Sequence, residues 1–354
     1  MERILSIIVN GEEGDFMALT NISLKNFTVF FDGTIPLAPG VNVLIGSNGT
    51  GKTQLLKGIY GCCESARMGK EDTFFECFHT NSGLSLARDY DRNIEFNVSD
   101  DTGIGESNTK GDILLGSPNI SRYGTVTALE TIITVPKSVR NAVYLPVKDM
   151  LTHARGLLAM AQKYQDFPFD KPLLDSIEKS ERWIVKKQPE ILQELLHQLE
   201  KCIGGTILYE NDEFYITRND GRKISFELEA EGYKKLGILW QLLMNESIVP
   251  GTVLLWDEPE SNLNPEFLSI SADILLALSR LGVQIIFSTH SYILAKYIEL
   301  KMNQDDQVLF HSFYYDNGLV HCESTRNFKD LMHNSIMNAF EVLMDEIYKD
   351  QVGE

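Results

Sequence analysis

The chain has 354 residues, of which 43% are hydrophobic and 23% charged, a composition that supplies a sizeable core and excludes a disordered or fibrous protein. Its length suits two or three domains, or one domain with large insertions. Lysine and arginine total 32 against 50 for aspartate and glutamate, and the net charge of −18 excludes general affinity for nucleic acid or anionic membranes, so any polyanion site has to be a local basic patch.

The five cysteines are an odd number without C-x-x-C spacing, which argues against a disulfide framework or a zinc ribbon and fits a reducing cytoplasm. The first residues carry neither the basic run nor the small-residue cleavage site of a signal peptide. No apolar run approaches 18 residues. We therefore expect a cytoplasmic protein with no membrane partner.

Apolar patterns predict the elements in chain order. The first half is predicted as a strand over 19–31, a buried strand over 41–45, a helix from 52 to about 68, short strands between 73 and 145, and helices over 150–202. The second half is predicted as a hairpin around 219–221, a helix over 233–244, a strand over 252–256, a helix over 264–281, a strand over 283–288, and then a helix, a strand pair and a last helix. Strand–helix alternation at both ends predicts an α/β fold with a mostly parallel sheet flanked by helices.

The turn after the strand at 41–45 matches the phosphate-binding pattern G-x-x-x-x-G-K-[ST] completely. Its residues are Gly46, Ser47, Asn48, Gly49, Thr50, Gly51, Lys52 and Thr53. Glycines let backbone N–H groups wrap phosphates without a clashing Cβ, and the following helix N-terminus adds partial positive charge. We expect Lys52 to reach the β- and γ-phosphates of ATP and the Thr53 hydroxyl to bind Mg²⁺.

An apolar strand, VLLW, ends in two carboxylates, Asp257 and Glu258. Asp257 would hold Mg²⁺ through water, and Glu258 would act as general base on the attacking water. An acidic pair after a strand is common at protein surfaces. Together with a complete phosphate loop, however, it predicts ATP hydrolysis.

His290 follows the strand VQIIF, 32 residues after Glu258, which leaves room for one helix and one strand. Adjacent parallel strands would bring Glu258 and His290 to the same edge of the sheet, where nucleotides bind. A lone histidine is more often structural. The spacing favours a contact with the γ-phosphate, and we count His290 with Lys52 and Glu258 as catalytic candidates.

The motifs GSNGTGKT, VLLWDEPESNLNP and IIFSTHS, with LTNISLKNFTVFFDG ahead of them, resemble the ABC-type ATPases of the SMC, RecF and OLD group. The resemblance is closest to the stand-alone ATPases of bacterial anti-phage defence modules. It implies a P-loop NTPase in which two subunits sandwich two ATP molecules, each held between the phosphate loop of one subunit and the signature motif of the other.

The resemblance also implies a domain plan. The expected parts are a discontinuous ATPase core at 1–60 and 205–320, a β-rich insertion at 61–149, a helical subdomain at 150–204 and a C-terminal helical tail at 321–354.

The signature segment should lie about 25 residues before Asp257, where the chain has LEAEGYKKL. Gly232 and the helix after it match the family pattern, but Ala230 replaces the usual serine. This removes one hydroxyl donor to the γ-phosphate, so the resemblance implies slow hydrolysis with ATP binding intact. Backbone N–H groups, the helix dipole and Lys234 or Lys235 would be the remaining donors.

Three function classes compete. The first is an ATP-dependent switch that dimerises and controls a separate effector, such as a nuclease or a toxin, in an anti-phage system. The second is a DNA repair or chromosome-maintenance ATPase of RecF or SMC type. The third is a transporter subunit, which is disfavoured because 205 residues separate Lys52 from Asp257 and because the signature serine is missing.

Two observations weigh against direct action on DNA. The 64 residues after His290 are too few for the usual fused nuclease domain. The most basic run, with Lys179, Arg182, Lys186 and Lys187 beside Trp183, alternates with glutamates and is typical of a solvated helix face. Nucleic acid stays a possible partner that the net charge does not indicate, and we favour the first class.

Overall fold

A computed structural model describes residues 18–70, 73–80, 83–89, 92–100, 113–114, 117–120, 126–129, 131–134, 141–164, 167–185 and 189–352. The predicted absence of a signal peptide and the basic residues Lys186 and Lys187 lie outside these ranges. Among the described helices, none is both long enough and apolar enough to cross a membrane.

The described strands and helices follow the predicted order, apart from a hairpin in the segment 19–31 and a short helix at Thr73–Glu76. The strands are β1 (Leu19–Phe27), β2 (Phe30–Pro36), β3 (Val41–Gly46), β4 (Ile94–Asp100), β5 (Ile113–Leu114), β6 (Ser117–Ile120), β7 (Val126–Leu129), β8 (Thr131–Thr134), β9 (Ala142–Leu145), β10 (Gly205–Glu210), β11 (Glu213–Arg218), β12 (Lys223–Ser225), β13 (Val253–Asp257), β14 (Gln284–Thr289), β15 (Val308–Asp316) and β16 (Leu319–Thr325). The helices are α1 (Lys52–Met68), α2 (Thr73–Glu76), α3 (Leu157–Lys163), α4 (Lys171–Ser180), α5 (Glu190–Ile203), α6 (Glu231–Met244), α7 (Leu268–Arg280), α8 (Tyr292–Lys301) and α9 (Ser335–Val352). Short 3₁₀ turns occur at Gly83–Leu86, Leu151–His153, Phe226–Leu228, Pro265–Phe267 and Phe328–Asp330.

The central sheet has the strand order β16-β15-β3-β14-β13-β9. Neighbouring strands from β15 to β9 run parallel, and β16 is an antiparallel edge strand. The predicted α/β class with a mostly parallel sheet is confirmed. Because parallel strands share one direction, the carboxyl ends of β3, β13 and β14 lie at one edge.

The central sheet is buried on both faces, which explains its continuous apolar runs. In β13, Leu254 and Trp256 pack into the core that contains α6, α7 and α8. The alternate residues Val253 and Leu255 pack against α1 and the second sheet. This packing fixes α1, and therefore the loop before it, against the middle of the sheet.

The second sheet has the order β2-β1-β4-β8-β5. The segment 19–31, predicted as one strand, is instead a hairpin of β1 and β2. Phe27 pairs with Phe30 across the turn, and both side chains are buried, so the apolar alternation continues through the bend. The turn depends on a positive φ of 50° at Thr28, which the apolar pattern does not indicate.

Two predicted domain boundaries do not follow the sheets. β9, assigned to an insertion at 61–149, forms an edge of the central sheet because it pairs in parallel with β13. β16 crosses the predicted boundary at 320 and pairs with β15 along its whole length. Both strands are short or amphipathic in sequence. Only their pairing with β13 and β15 shows that they belong to the central sheet.

Lys179 is not part of a basic surface, contrary to the prediction of a solvated helix face. Its residue is 4% exposed, and its ammonium donates to the Ala142 carbonyl at 2.5 Å and lies 3.4 Å from Glu64 of α1. Burial lowers the pKa of Lys179, while the Glu64 charge opposes that shift. The lysine thus connects α4 to α1 and β9. Trp183, by contrast, is 93% exposed.

Candidate active site

Three strand ends bring the predicted site residues together. β3 ends at Gly46, β13 at Asp257 and β14 at Thr289. Asp257 lies opposite Ser288 in the pairing of β13 with β14, and Thr289 lies opposite Ile45 in the pairing of β14 with β3. The phosphate loop, the acidic pair and His290 therefore share one edge of the sheet, as the spacing predicted.

The phosphate loop runs from the last residue of β3 to the first residue of α1, and its backbone requires glycine. Gly49 and Gly51 have φ values of 81° and 89°. A Cβ on Gly51 would also lie 2.6 Å from the side chains of Val29 and Phe30. Residues 47–49 are exposed, whereas the Thr50 hydroxyl is turned inward and donates to the Ser47 carbonyl at 2.9 Å. The loop thus presents exposed backbone on a fixed base.

Lys52 is buried beneath this loop. Its ammonium donates to the carbonyls of Gly46 at 2.8 Å and Ser47 at 3.0 Å. Burial lowers its pKa to about 8, although nearby carboxylates, Glu258 foremost, oppose the shift. Among the described residues, no carboxylate forms an ion pair with Lys52, so its charge is available to an anion in the loop.

Asp257 joins the phosphate loop to the neighbouring strand. Its carboxylate accepts a hydrogen bond from the Thr53 hydroxyl at 2.8 Å and from the Ser288 hydroxyl at 2.5 Å. The Tyr144 hydroxyl lies 3.5 Å from the same carboxylate, and burial raises the pKa of Tyr144. A hydroxyl and a carboxylate in contact are oxygen ligands of the kind Mg²⁺ prefers.

The donor set fits Mg²⁺ bound together with phosphate rather than alone. No cluster of three or more metal-binding side chains occurs in the described part of the chain. Mg²⁺ in nucleotide sites is usually held by one or two protein oxygens plus phosphate oxygens and water. Thr53 and Asp257 supply that number.

Glu258 and His290 form the open side of the site. The His290 Nε2 atom lies 3.5 Å from a Glu258 carboxylate oxygen, and the two side chains are 34% and 32% exposed. The pKa of His290 is lowered, first by burial and then by the charge of Lys52, while Glu258 opposes the shift. The histidine is therefore neutral near pH 7 and has one N–H to donate.

Comparison with known proteins gives short matches. Residues 137–295 match the family model described as "AAA domain, putative AbiEii toxin, Type IV TA system", a range that holds Asp257, Glu258 and His290 but not the phosphate loop. The DNA replication and repair protein RecF of Photorhabdus laumondii is 31% identical over 112 residues, which cover 25% of this chain and 30% of that protein. RecF of Erwinia tasmaniensis is 48% identical over 44 residues, 12% of each chain. The matches thus span less than a third of the length of these curated relatives.

Over these stretches the chain is similar to an AAA-domain family and to RecF proteins. Among solved structures, an SMC head bound to the winged-helix domain of ScpA is 14% identical with a TM-score of 0.49, covering 88% of this chain and 98% of that chain.

The candidate signature segment, residues 228–236, lies at the start of helix α6. Ala230 is exposed and occupies the N-cap position without a capping side chain. Gly232 is buried, and a Cβ there would lie 3.1 Å from the Asn262 carbonyl and 3.2 Å from the Leu263 side chain. Gly232 thus packs against the loop that follows Glu258.

The structure corrects the expected roles of two lysines in α6. Lys234 donates to the Thr152 hydroxyl at 3.0 Å and to Glu231 at 2.6 Å. Lys235 donates to the backbone carbonyls of Glu258 at 2.7 Å and Ser261 at 2.9 Å. Both residues are buried, so neither ammonium is free to replace the missing serine at a second subunit's ATP.

Three residues that support the site were not predicted from the sequence, Tyr144, Glu260 and Ser288, and the contacts of a fourth, Lys235, were not predicted either. Glu260 accepts hydrogen bonds from the Thr289 hydroxyl at 2.7 Å and the His290 N–H at 2.8 Å, and burial raises its pKa. Ser288 stands two residues before His290, and strand alternation could have placed it at the same edge. Tyr144 and Lys235 carry no such local signal, because their contacts depend on the tertiary fold.

Proposed function

We propose that the chain is an ATP-binding and ATP-hydrolysing switch that dimerises around ATP and controls a separate effector protein. The observation that supports hydrolysis is the convergence of Lys52, Asp257 and Glu258 at one edge of a parallel sheet. Each of these groups has a distinct part in phosphoryl transfer to water.

The phosphates of ATP would bind where the exposed loop backbone and Lys52 meet. Lys52 exchanges its two loop carbonyls for phosphate oxygens, and the gain in Coulomb attraction drives that exchange. Thr53 and Asp257 would hold Mg²⁺, which when bound neutralises phosphate charge. Asp257 is held in orientation by the hydroxyl of Ser288.

Glu258 takes the proton of the attacking water. Its carboxylate is about one-third exposed, so solvent reaches it, and its backbone is fixed by neighbours on both sides. His290, being neutral, donates a hydrogen bond to the γ-phosphate without adding charge. A general base placed in this way contributes about 10²–10⁴-fold to rate.

Dimerisation is proposed from the position of the candidate signature segment. Gly232 and the N-terminus of α6 lie beside the loop after Glu258, at the open side of the site. If a second subunit faces this side, the phosphates of its ATP would lie near the N–H groups at the N-terminus of α6. These N–H groups attract negative charge. Since Ala230 contributes no hydroxyl, hydrolysis should be slow.

The matched family model supports a paired system. Its description names a putative AbiEii toxin and a type IV TA system. We therefore propose a defence role in which this chain acts with a partner. The RecF matches favour the second candidate, a DNA repair ATPase.

Phosphate release from ATP and Mg²⁺ tests hydrolysis. The wild-type chain should release phosphate, and Glu258→Gln should lose at least about a hundredfold in turnover. Glu341→Gln, a matched change at an exposed position of α9, should keep the wild-type rate. A Glu258→Gln rate equal to wild type would refute Glu258 as the base.

Adding DNA separates the two candidate roles. The switch predicts no change in turnover on linear duplex DNA and no cleavage of plasmid DNA, because the described residues contain no second carboxylate cluster for metal. A several-fold increase in turnover that rises with DNA concentration would favour the repair role.

A further inference from the structure

Lys235 joins helix α6 to the loop that carries the candidate base. Its ammonium donates to the Glu258 carbonyl at 2.7 Å and to the Ser261 carbonyl at 2.9 Å. The residue is 6% exposed, and no carboxylate of the described residues forms an ion pair with it. Burial lowers its pKa to about 8, while nearby carboxylates, Glu260 foremost, oppose the shift. Burying an ammonium group costs free energy unless it is hydrogen-bonded. Here the Lys235 ammonium donates its hydrogen bonds to backbone carbonyls of one loop.

The Glu258 backbone is held in an uncommon conformation. Its φ is 48°, in the left-handed region that residues with a Cβ seldom adopt. On one side, its N–H donates to the carbonyl of Ser288 at 3.2 Å and to the hydroxyl of Ser288 at 3.1 Å. On the other side, its carbonyl receives Lys235. These hydrogen bonds on both sides of the residue determine the direction of the Glu258 side chain. Its carboxylate lies 3.5 Å from His290.

We propose that Lys235 is a positioning residue that fixes the Glu258 carboxylate for proton abstraction. The inference rests on the proposed function, in which Glu258 is the base. Lys235 touches neither of the reacting groups and acts only through the loop backbone. Without it, the strained residue relaxes and the carboxylate moves away from the attacking water, since small misplacements of a catalytic group slow a reaction strongly.

Lys235→Met removes the ammonium and keeps most of the stem. We expect turnover to fall about tenfold to a hundredfold, with the affinity for ATP within about twofold of wild type, because the phosphate loop is untouched. Lys234→Met is the control: it removes the adjacent buried ammonium, whose partners are Thr152, Glu231 and Asp149 instead. Its turnover should stay within about twofold of wild type.

Equal losses in both methionine variants would mean a general loosening of α6 and would overturn the proposal. Lys235→Arg restores charged donors and should recover most of the lost turnover. Failure of the arginine variant to exceed the methionine variant would also overturn it. If Lys235→Met does not fold, Lys235→Gln carries the same comparison, since its shorter amide cannot span both carbonyls.

A double-mutant cycle separates positioning from mere stability. On the Glu258→Gln background, Lys235→Met should change the residual turnover by less than about twofold, because its target is already gone. An undiminished tenfold effect there would show that Lys235 acts elsewhere. If wild type does not hydrolyse ATP, or Glu258→Gln stays fully active, the proposed function itself fails. If Glu258→Gln is inactive and Lys235→Met is normal, only the present inference fails.

Discussion

Asp257 connects two elements of the candidate site, helix α1 and strand β14, through hydrogen bonds that its sequence motif does not indicate. It is 3% exposed, and its carboxylate receives hydroxyl groups from Thr53 of α1 and Ser288 of β14. Burying a carboxylate is costly, and these donors offset the loss of water. Removing either hydroxyl should therefore change the position of Asp257 relative to both the phosphate loop and Glu258.

Lys52→Ala should weaken ATP binding at least about tenfold, because a charged hydrogen bond to phosphate contributes about 1.5–3 kcal/mol. Isothermal titration with ATP and Mg²⁺ measures it. The control Lys57→Ala lies one and a half turns later on α1, where the lysine pairs with Asp170 instead. Wild-type affinity in Lys52→Ala would show that the loop is not the nucleotide site.

Ser288→Ala should lower turnover about tenfold and stability by about 1–3 kcal/mol, since Asp257 and the Glu258 N–H each lose one of their hydrogen-bond partners. The matched control is Ser271→Ala in α7, which also removes a buried hydroxyl, one that donates to the Phe267 carbonyl. Kinetic assays and urea denaturation compare the two. A Ser271→Ala loss of turnover as large as that of Ser288→Ala would contradict a specific role.

At the scale of elements, the N-terminal part of α6 has two proposed roles, in dimerisation and in positioning the base. Its N-cap, Ala230, leaves N–H groups without a side-chain acceptor, and Gly232 contacts the loop after Glu258. The helix continues through Lys235 to the base loop itself. One helix therefore reaches both the proposed dimer surface and the base.

Ala230→Ser should affect stability and activity separately. A serine at an N-cap stabilises a protein by about 0.5–2 kcal/mol relative to alanine, with or without nucleotide. If the segment also faces a second subunit's ATP, turnover or dimer fraction should change beyond this effect. Urea denaturation without nucleotide and ATPase rate against protein concentration measure the two parts. Unchanged rate and dimer fraction in Ala230→Ser and Gly232→Trp would remove 228–236 as the signature segment.

His311 makes β15 sensitive to acid. It is fully buried, its Nδ1 lies 2.8 Å from the Ser324 hydroxyl, and burial lowers its pKa to about 3. The unfolded chain, with a histidine pKa near 6.5, binds the proton first, so stability is complete above about pH 6.5 and falls by about 1.4 kcal/mol per pH unit toward pH 3.

Urea denaturation between pH 7 and 5 measures this dependence. His311→Gln should show a shallower fall than wild type, whereas His321→Gln, an exposed position on β16, should match wild type. Equal slopes in wild type and His311→Gln would contradict the assignment.

At the scale of the whole molecule, the sequence predicts what local patterns encode. The phosphate loop, the acidic pair and His290 could be placed at one edge because each of them follows an apolar strand. These strands pair in parallel, so their carboxyl ends lie at the same edge of the sheet. Contacts between distant segments could not be predicted. Lys179 has a partner 115 residues away in Glu64, and Lys235 is 23 residues from Glu258, with no pattern that links either pair.

Light scattering of Glu258→Gln tests the switch most directly, because this variant should bind ATP and keep it. With ATP and Mg²⁺ the account predicts a species of twice the monomer mass, and with ADP the monomer. Adding Gly232→Trp, which would place a ring against the Asn262–Leu263 backbone, should abolish the larger species. A mass that is the same in ATP and ADP, while titration shows that ATP is bound, would contradict the proposed switch.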